Sequence, residues 1–344
     1  MAETMPDVTA EAMPETDTRA ETTLVGAVTL ALARAMAEDE RVIVLGEDVG
    51  VNGGVFRATQ GLLDRFGPER VLDTPLAELG IAGVSVGMAA AGLRPVAEIQ
   101  FSGFIYPAID QIVSHASRLR NRTRGRLTCP MVLRAPCGGG IHAPEHHGES
   151  NEAMFAHMPG LRVVIPSSPQ RAYGLLLAAI RDPDPVIFLE PARIYRAVRQ
   201  QVADDGEAAP LDSCFVLREG RDLTLVTWGA MTKEALAAAE TLRAEAVSAE
   251  VIDVATLKPL DFDTILASVV KTGRCVIVHE AALTAGFGAE IAARLAEHGL
   301  LSLQSPVERV TGYDTIMPLP RLEHLYMPDE ARILAAARRA LAFA

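Results

Sequence analysis

The sequence predicts an α/β protein built from two doubly wound domains, and three observations carry that reading. Runs such as PVIFLEP (185–191) and RVIVLGEDV (41–49) are apolar with almost no alternation, the pattern of parallel strands covered on both faces. Segments of helical periodicity separate these runs in regular succession. The rhythm then breaks over residues 192–221, where mixed charges and RQQVADDGEAAP replace periodic apolar residues, and afterwards resumes.

Taken in order, the first 21 residues are acidic, poor in large apolar groups and expected to be disordered. They have neither the apolar core of a signal peptide nor the arginine-rich character of a transit peptide. Residues 24–40 read as a helix and 41–49 as a strand. Helix-like ATQGLLDRFG leads to the extended VLDTP and then to ELGIAGVSVGMAAAGLR, a helix dominated by small residues. A strand at 95–101 precedes an amphipathic helix over 106–122, and strands at 130–136 and 162–166 flank a histidine-rich loop. A helix (168–182) and the strand 185–191 complete a first domain spanning 22–205. After a linker at 206–214, the alternation from DLTLVTWG to GFGAEIAARLAEHG marks a second domain over 215–344.

The net charge of −12 opposes nucleic-acid binding, because the surface does not neutralise phosphates. No apolar stretch is long enough to suggest a membrane span. Cys129, Cys137, Cys214 and Cys275 are widely spaced and read as reduced thiols of a cytoplasmic protein.

Several motifs carry chemistry on paper. GVSVG (83–87) matches a nucleophile elbow, but its flanks read as one continuous helix, so Ser85 is expected to pack rather than attack. Gly83, Gly87 and Ala91 would then let a neighbouring helix approach closely. TAGFGAEI lacks the third small residue of a dinucleotide fingerprint, which Ile291 replaces. GGGIHAPEHHGES (138–150) concentrates His142, His146 and His147. Pro144 forbids the helix that a zinc pair would use. The three glycines suit a loop crossing close to a ligand. Acid–base work suits this loop better than metal binding or an inert polar role. Glu78, between apolar neighbours, is expected to be buried with a raised pKa.

Read together, GEDV, GGVFRAT, DTPLAELGIAG, AEIQFSGF, AIDQI, HHGES, PGLRVVIPSSP, DPVIFLEP, KPLD, KTGR, VIVHEA, LTAGFGAEI and VTGYDT resemble one family. It is the β subunit of the thiamine-diphosphate-dependent first component of 2-oxo acid dehydrogenase complexes. The resemblance implies a domain binding the cofactor's pyrimidine, followed by a transketolase C-terminal-like domain. It implies that Glu78 bonds the pyrimidine N1′ and so favours the tautomer that removes the thiazolium C2 proton. Phe104, with Phe101, would lie against the pyrimidine, and Glu47 would line the pocket. His147 would handle protons as the acyl group passes to a lipoyl arm, with His142 and His146 as neighbours. Gly148 departs from the serine that often follows this histidine in relatives.

The chain has no G-D-G, and Asn52, Asn121 and Asn151 are isolated. The Mg²⁺-bridged diphosphate is therefore expected on an α subunit, in an α₂β₂ assembly that serves a lipoyl acyltransferase core. The positions matching a potassium site in some relatives are Met131, Val132, Ala179, Asp182 and Asp184. The resemblance leaves the 2-oxo acid open: GGGIHAPEHH is similar to pyruvate-type members, while HEAALTAGFGAEI and GYDT lean towards branched-chain ones. A non-catalytic docking subunit and a hydrolase using Ser85 are the competing expectations.

Overall fold

The computed structural model describes residues 19–343. The first half runs β1 (Arg19–Thr23), α1 (Leu24–Glu38), β2 (Val42–Gly46), α2 (Leu62–Phe66), β3 (Val71–Asp73), α3 (Glu78–Ala90), β4 (Arg94–Glu98), α4 (Leu119–Arg122), β5 (Val132–Cys137), α5 (Glu152–His157), β6 (Arg162–Val164), α6 (Pro169–Arg181), β7 (Val186–Pro191) and β8 (Arg199–Ala203). The second half continues with β9 (Phe215–Arg218), β10 (Leu223–Thr227), α7 (Met231–Ala244), β11 (Ala249–Asp253), β12 (Thr256–Lys258), α8 (Phe262–Thr272), β13 (Cys275–Ala282), α9 (Phe287–His298), β14 (Glu308–Gly312), α10 (Pro320–Tyr326) and α11 (Glu330–Ala342).

The larger sheet has the order β12-β6-β7-β5-β4-β2-β3 and the smaller one β14-β13-β10-β11-β9. All neighbours are parallel except the edge pairs β12–β6 and β9–β11. Every residue of β2, β5 and β7 is buried, which accounts for runs that are apolar on both faces apart from Arg134 and Glu190. Local sequence sets the helix starts: Thr23 accepts from the Gly26 N–H at α1, and Ser168 from the Arg171 N–H at α6, where Pro169 occupies the first turn. The edge strand β12 comes from the second half, and the Lys258 ammonium donates to the Ala156 and Met158 carbonyls at 2.8 and 2.9 Å. The two halves therefore share a sheet edge.

Two expectations change. Residues 1–18 of the acidic tail lie outside the described residues, but Arg19–Thr23 form β1, paired antiparallel with β8. Backbone pairing here outweighs the polar composition. The helix expected over 106–122 is broken instead: 3₁₀ turns at Tyr106–Ala108 and Ala116–Arg118 bracket a π turn at Gln111–His115. The Ser117 hydroxyl donates back to the Val113 carbonyl at 2.8 Å, a bond that competes with the regular ladder.

The core of the larger sheet contains a charge. Arg134, on β5, is fully buried and donates to Glu98 on β4 (2.8 Å) and to both oxygens of Glu190 on β7 (2.7 and 2.9 Å). Two carboxyls share one guanidinium, and burial pushes Glu98 up towards its neutral form. The Tyr195 hydroxyl donates to Glu190 at 2.5 Å. Arg134→Met should cost about 3–5 kcal/mol in denaturant unfolding at neutral pH, because it strands two buried acids. Adding Glu98→Gln and Glu190→Gln should recover much of that loss. An Arg134→Met chain unfolding at the wild-type midpoint would show that the triad does not hold the sheet.

Candidate active site

Strands β3, β2, β4 and β5 are adjacent and parallel, so their carboxyl ends lie along one edge. Ligands of open α/β sheets bind beyond this edge. Glu47 directly follows β2, Glu78 opens the helix after β3, Phe101 and Phe104 follow β4, and the histidine loop follows β5. The topology thus gathers residues up to a hundred positions apart in sequence.

The two carboxylates at this edge differ in setting. Glu47 is buried and its Oε1 has no hydrogen-bond partner. Burial first, and then the charges of Glu78 and Asp48, push its pKa up, against the Ala77 N–H. Glu78 was expected to be the buried acid, but it is only half-buried. Its neighbours Leu76 and Leu79 are 79% and 52% exposed, so the apolar flanks that suggested burial point away from this chain's core. The small-residue stripe of α3 is bare as well: a Cβ on Gly87 would meet nothing within 4 Å, and one on Gly83 only the Gln111 side chain. Ala91 is also exposed. Ser85 is fully buried and donates to the Ile81 carbonyl at 2.8 Å, which makes it a packing residue.

His147 packs against two phenylalanines, its ring centroid 4.4 Å from that of Phe101 and 5.0 Å from that of Phe104. Its Nδ1 lies 2.9 Å from the Glu145 carbonyl. A carbonyl only accepts, so Nδ1 carries the hydrogen and Nε2 of the neutral ring is left as a base. His146 is near Phe104, at 6.4 Å between ring centroids. The loop folds onto the residues after β4: the Ser102 hydroxyl donates to the Glu149 carbonyl at 2.9 Å, and the Asn151 amide to the Ser102 carbonyl at 2.8 Å. At Gly103 the His146 carbonyl occupies the place of a side chain, which explains the glycine inside FSGF.

The other limb of the loop overturns the ligand reading of its glycines. A Cβ on Gly138 would lie 2.6 Å from the Glu280 carboxylate, and one on Gly139 2.5 Å from Met317. One on Gly140 would collide with Arg193. Side chains of the protein, most of them from the second half, take this space. His142 lies on this limb, its Nε2 3.6 Å from Glu323, apart from the His147 aromatic cluster. Gly148 packs in the same way, its absent Cβ 3.2 Å from Met317, so a serine there would need Met317 to shift.

The remaining motifs have packing explanations. Gly286 and Gly288 of TAGFGAEI lie against the buried His279 ring, and Ile291 is fully buried. The potassium-type positions do meet at one corner, where the Val186 N–H donates to the Met131 carbonyl at 3.0 Å. The two acids there are paired, Asp182 with Arg162 (2.9 Å) and Asp184 with Arg120 (2.7 Å). Val132 is buried and Ala179 bonds back to the Asp182 N–H at 3.3 Å. A cleft of about 500 Å³ lined by His157, Lys258, Phe287 and Arg294 lies away from the candidate residues.

The family model for the transketolase pyrimidine-binding domain matches residues 20–198, and that for the transketolase C-terminal domain matches residues 213–333. The pyruvate dehydrogenase E1 component subunit beta of Bacillus subtilis is 48% identical over 324 residues, covering 94% of this chain and 100% of that protein. This chain belongs to the E1 β-subunit family. The Acholeplasma laidlawii subunit of the same name is 49% identical, covering 92% of this chain and 97% of its own. A solved split-gene transketolase, described as an inactive β4 tetramer, matches this E1 β-type chain with a TM-score of 0.78 at 25% identity. That match covers 94% of this chain and 99% of the other.

In this E1 β chain the residues missed by sequence reasoning are Glu280 and Glu323, which hold the histidine loop from 141 and 183 positions away. Nothing local in HEA or RLEHL marks them. The Glu47 shift yields a test. Its folded pKa is raised, so its stabilising contribution is present below the ordinary carboxylate range and is lost as pH rises through the shifted value. Glu47→Gln should therefore raise the melting temperature of the chain at pH 8 by about 2 °C, with the gap closing near pH 4. A gap that stays constant with pH would contradict the assignment.

Proposed function

We propose that the chain is the β half of a 2-oxo acid dehydrogenase first component, acting with an α subunit in an α₂β₂ assembly on thiamine diphosphate. The observation that carries this is one open sheet edge presenting a buried acid with one unsatisfied oxygen, Glu47, beside Glu78, and a base-bearing histidine, His147, packed against Phe101 and Phe104. These residues fit a heteroaromatic cofactor whose ring nitrogens need one acid and one apolar face. Thiamine diphosphate, when bound, supplies the carbon nucleophile and electron sink for breaking the bond between a carbonyl and a carboxylate.

Glu78 would bond the pyrimidine N1′, and the neighbouring Glu47, whose burial favours its neutral form, would add no competing charge. Phe104 and Phe101 would exclude water and orient the ring, with His146 alongside. In the overall reaction the substrate loses carbon dioxide, and the electron pair of the broken bond reduces a lipoyl disulfide. One sulfur takes the acyl group and the other takes a proton, which His147 would carry through its Nε2. The diphosphate and Mg²⁺ fall to the α subunit, since this chain has no G-D-G. The exposed Leu76, Leu79 and Val84 around Glu78 support a site that another chain completes. The description of the related β4 transketolase assembly as inactive supports the same view.

Pyruvate is the favoured acid, because relatives at 46–49% identity are pyruvate dehydrogenase subunits. The test is thiamine-diphosphate-dependent carbon dioxide release from pyruvate and from the three branched-chain 2-oxo acids, by the chain with and without its α subunit. Activity should appear only in the mixture, be greatest with pyruvate, and fall at least about 100-fold in Glu78→Gln. Full activity in Glu78→Gln would instead favour a docking subunit.

A further inference from the structure

The histidine loop is anchored from both halves of the chain. Its return limb, residues 146–151, is tied to the segment after β4 through Ser102 and Asn151. Its outgoing limb is held differently: the Gly138 N–H donates to the Glu149 carbonyl of the return limb at 2.9 Å, and beyond it carboxylates of the second half accept backbone N–H groups. The Gly139 N–H donates to Glu280 at 3.0 Å, the Gly140 N–H to Glu323 at 2.6 Å, and the His142 N–H to the other oxygen of Glu323 at 3.1 Å. Both carboxylates are buried, Glu280 on β13 and Glu323 on α10. Arg193 backs Glu280 at 3.5 Å and is itself bonded to Glu234 at 2.5 and 3.1 Å.

This limb needs an external restraint. Gly138, Gly140, His142 and His146 all have positive φ, and for the two histidines this is a conformation that L side chains rarely adopt. Among these carboxylates, only Glu323 bonds two amides at once, and they flank Ile141 at the crest of the limb. Pro144, two residues beyond His142, accepts from the His147 N–H at 3.3 Å, so the position of the crest is passed directly to the ring.

We propose that Glu323 is a positioning residue for His147: by accepting the Gly140 and His142 N–H groups it fixes the histidine loop so that the His147 ring is held against Phe101 and Phe104. The proposal rests on the reading of His147 as the proton carrier at the lipoyl end. The second half thereby supports the chemistry of the first without contributing a group that touches substrate. Glutamine at position 323 keeps the shape and one acceptor, but it turns an NH₂ towards a backbone N–H that has no other partner.

The experiment uses the assembled α–β complex carrying Glu323→Gln, His147→Ala or both. Hydrogen–deuterium exchange reads the clamp without any turnover. Residues 138–147 should exchange about tenfold faster in Glu323→Gln, while β5 is unchanged. Two activity assays read the consequence: pyruvate decarboxylation with ferricyanide as oxidant, and acetyl transfer to an isolated lipoyl domain. Glu323→Gln should slow acetyl transfer by roughly tenfold to a hundredfold and leave the ferricyanide reaction nearly unchanged. In the His147→Ala background it should add almost nothing. Unchanged exchange at 138–147 would overturn the clamp. Equal loss in both assays, or full additivity with His147→Ala, would reduce Glu323 to general structural support. A wild-type complex inactive towards every 2-oxo acid would defeat the proposed function, while the exchange measurement would still decide the clamp.

Discussion

The arrangement depends first on the buried Arg134. It sits on β5, near the middle of the larger sheet, and ties the strands on either side through Glu98 and Glu190. The carboxyl end of β4 releases Phe101 and Phe104, and that of β5 itself releases the histidine loop. A charge in such a place must be paired on every side, and a guanidinium pairs only where both carboxyls stand in the correct register. The register Ala97↔Leu133, Glu98↔Arg134 and Arg134↔Phe188 is consequently set by more than apolar packing, which tolerates slippage more readily.

Above this layer the site is assembled from loops, and each is held by a different kind of restraint. The turn after β2 leaves Glu47 with an unsatisfied oxygen in a buried place, an arrangement stable only if the acid is neutral or has an outside partner. The segment after β4 brings two aromatic rings against His147. The loop after β5 has too many left-handed residues to hold itself and is gripped by carboxylates of the second half. The geometry of this edge therefore depends on both halves of the chain, although the candidate groups for chemistry all lie in the first.

Around Glu78 the molecule has the opposite character. Leu76, Leu79, Val84 and the bare glycines of α3 form an apolar surface that the described residues leave uncovered. Covering such a surface is a strong drive to association. It explains why a glutamate flanked by leucines is not a buried glutamate here: the neighbours in sequence belong to an outer face, and the core contacts of α3 are made by Ile81, Ala82, Ser85 and Ala89.

Much of this was legible in the residues alone. Mostly apolar runs without alternation identified parallel strands because burial on both faces admits a polar residue only when it is paired, and Pro144 identified a loop because proline is disfavoured inside a helix. An ordered set of motifs, from GEDV to VTGYDT, was enough to indicate the family. Local sequence could not determine which side of a short apolar flank faces the core, so Glu78 was expected to be buried. It could not show that β1 pairs with β8 some 180 positions later, nor that Ser117 bonds back and breaks the 106–122 helix. Above all, the GGG run announced a close approach without naming the group that approaches. Only the folded chain brings Glu280, Met317, Arg193 and Glu323 to that backbone, because such contacts are set by where two sheets dock and not by anything within a few residues of the glycines.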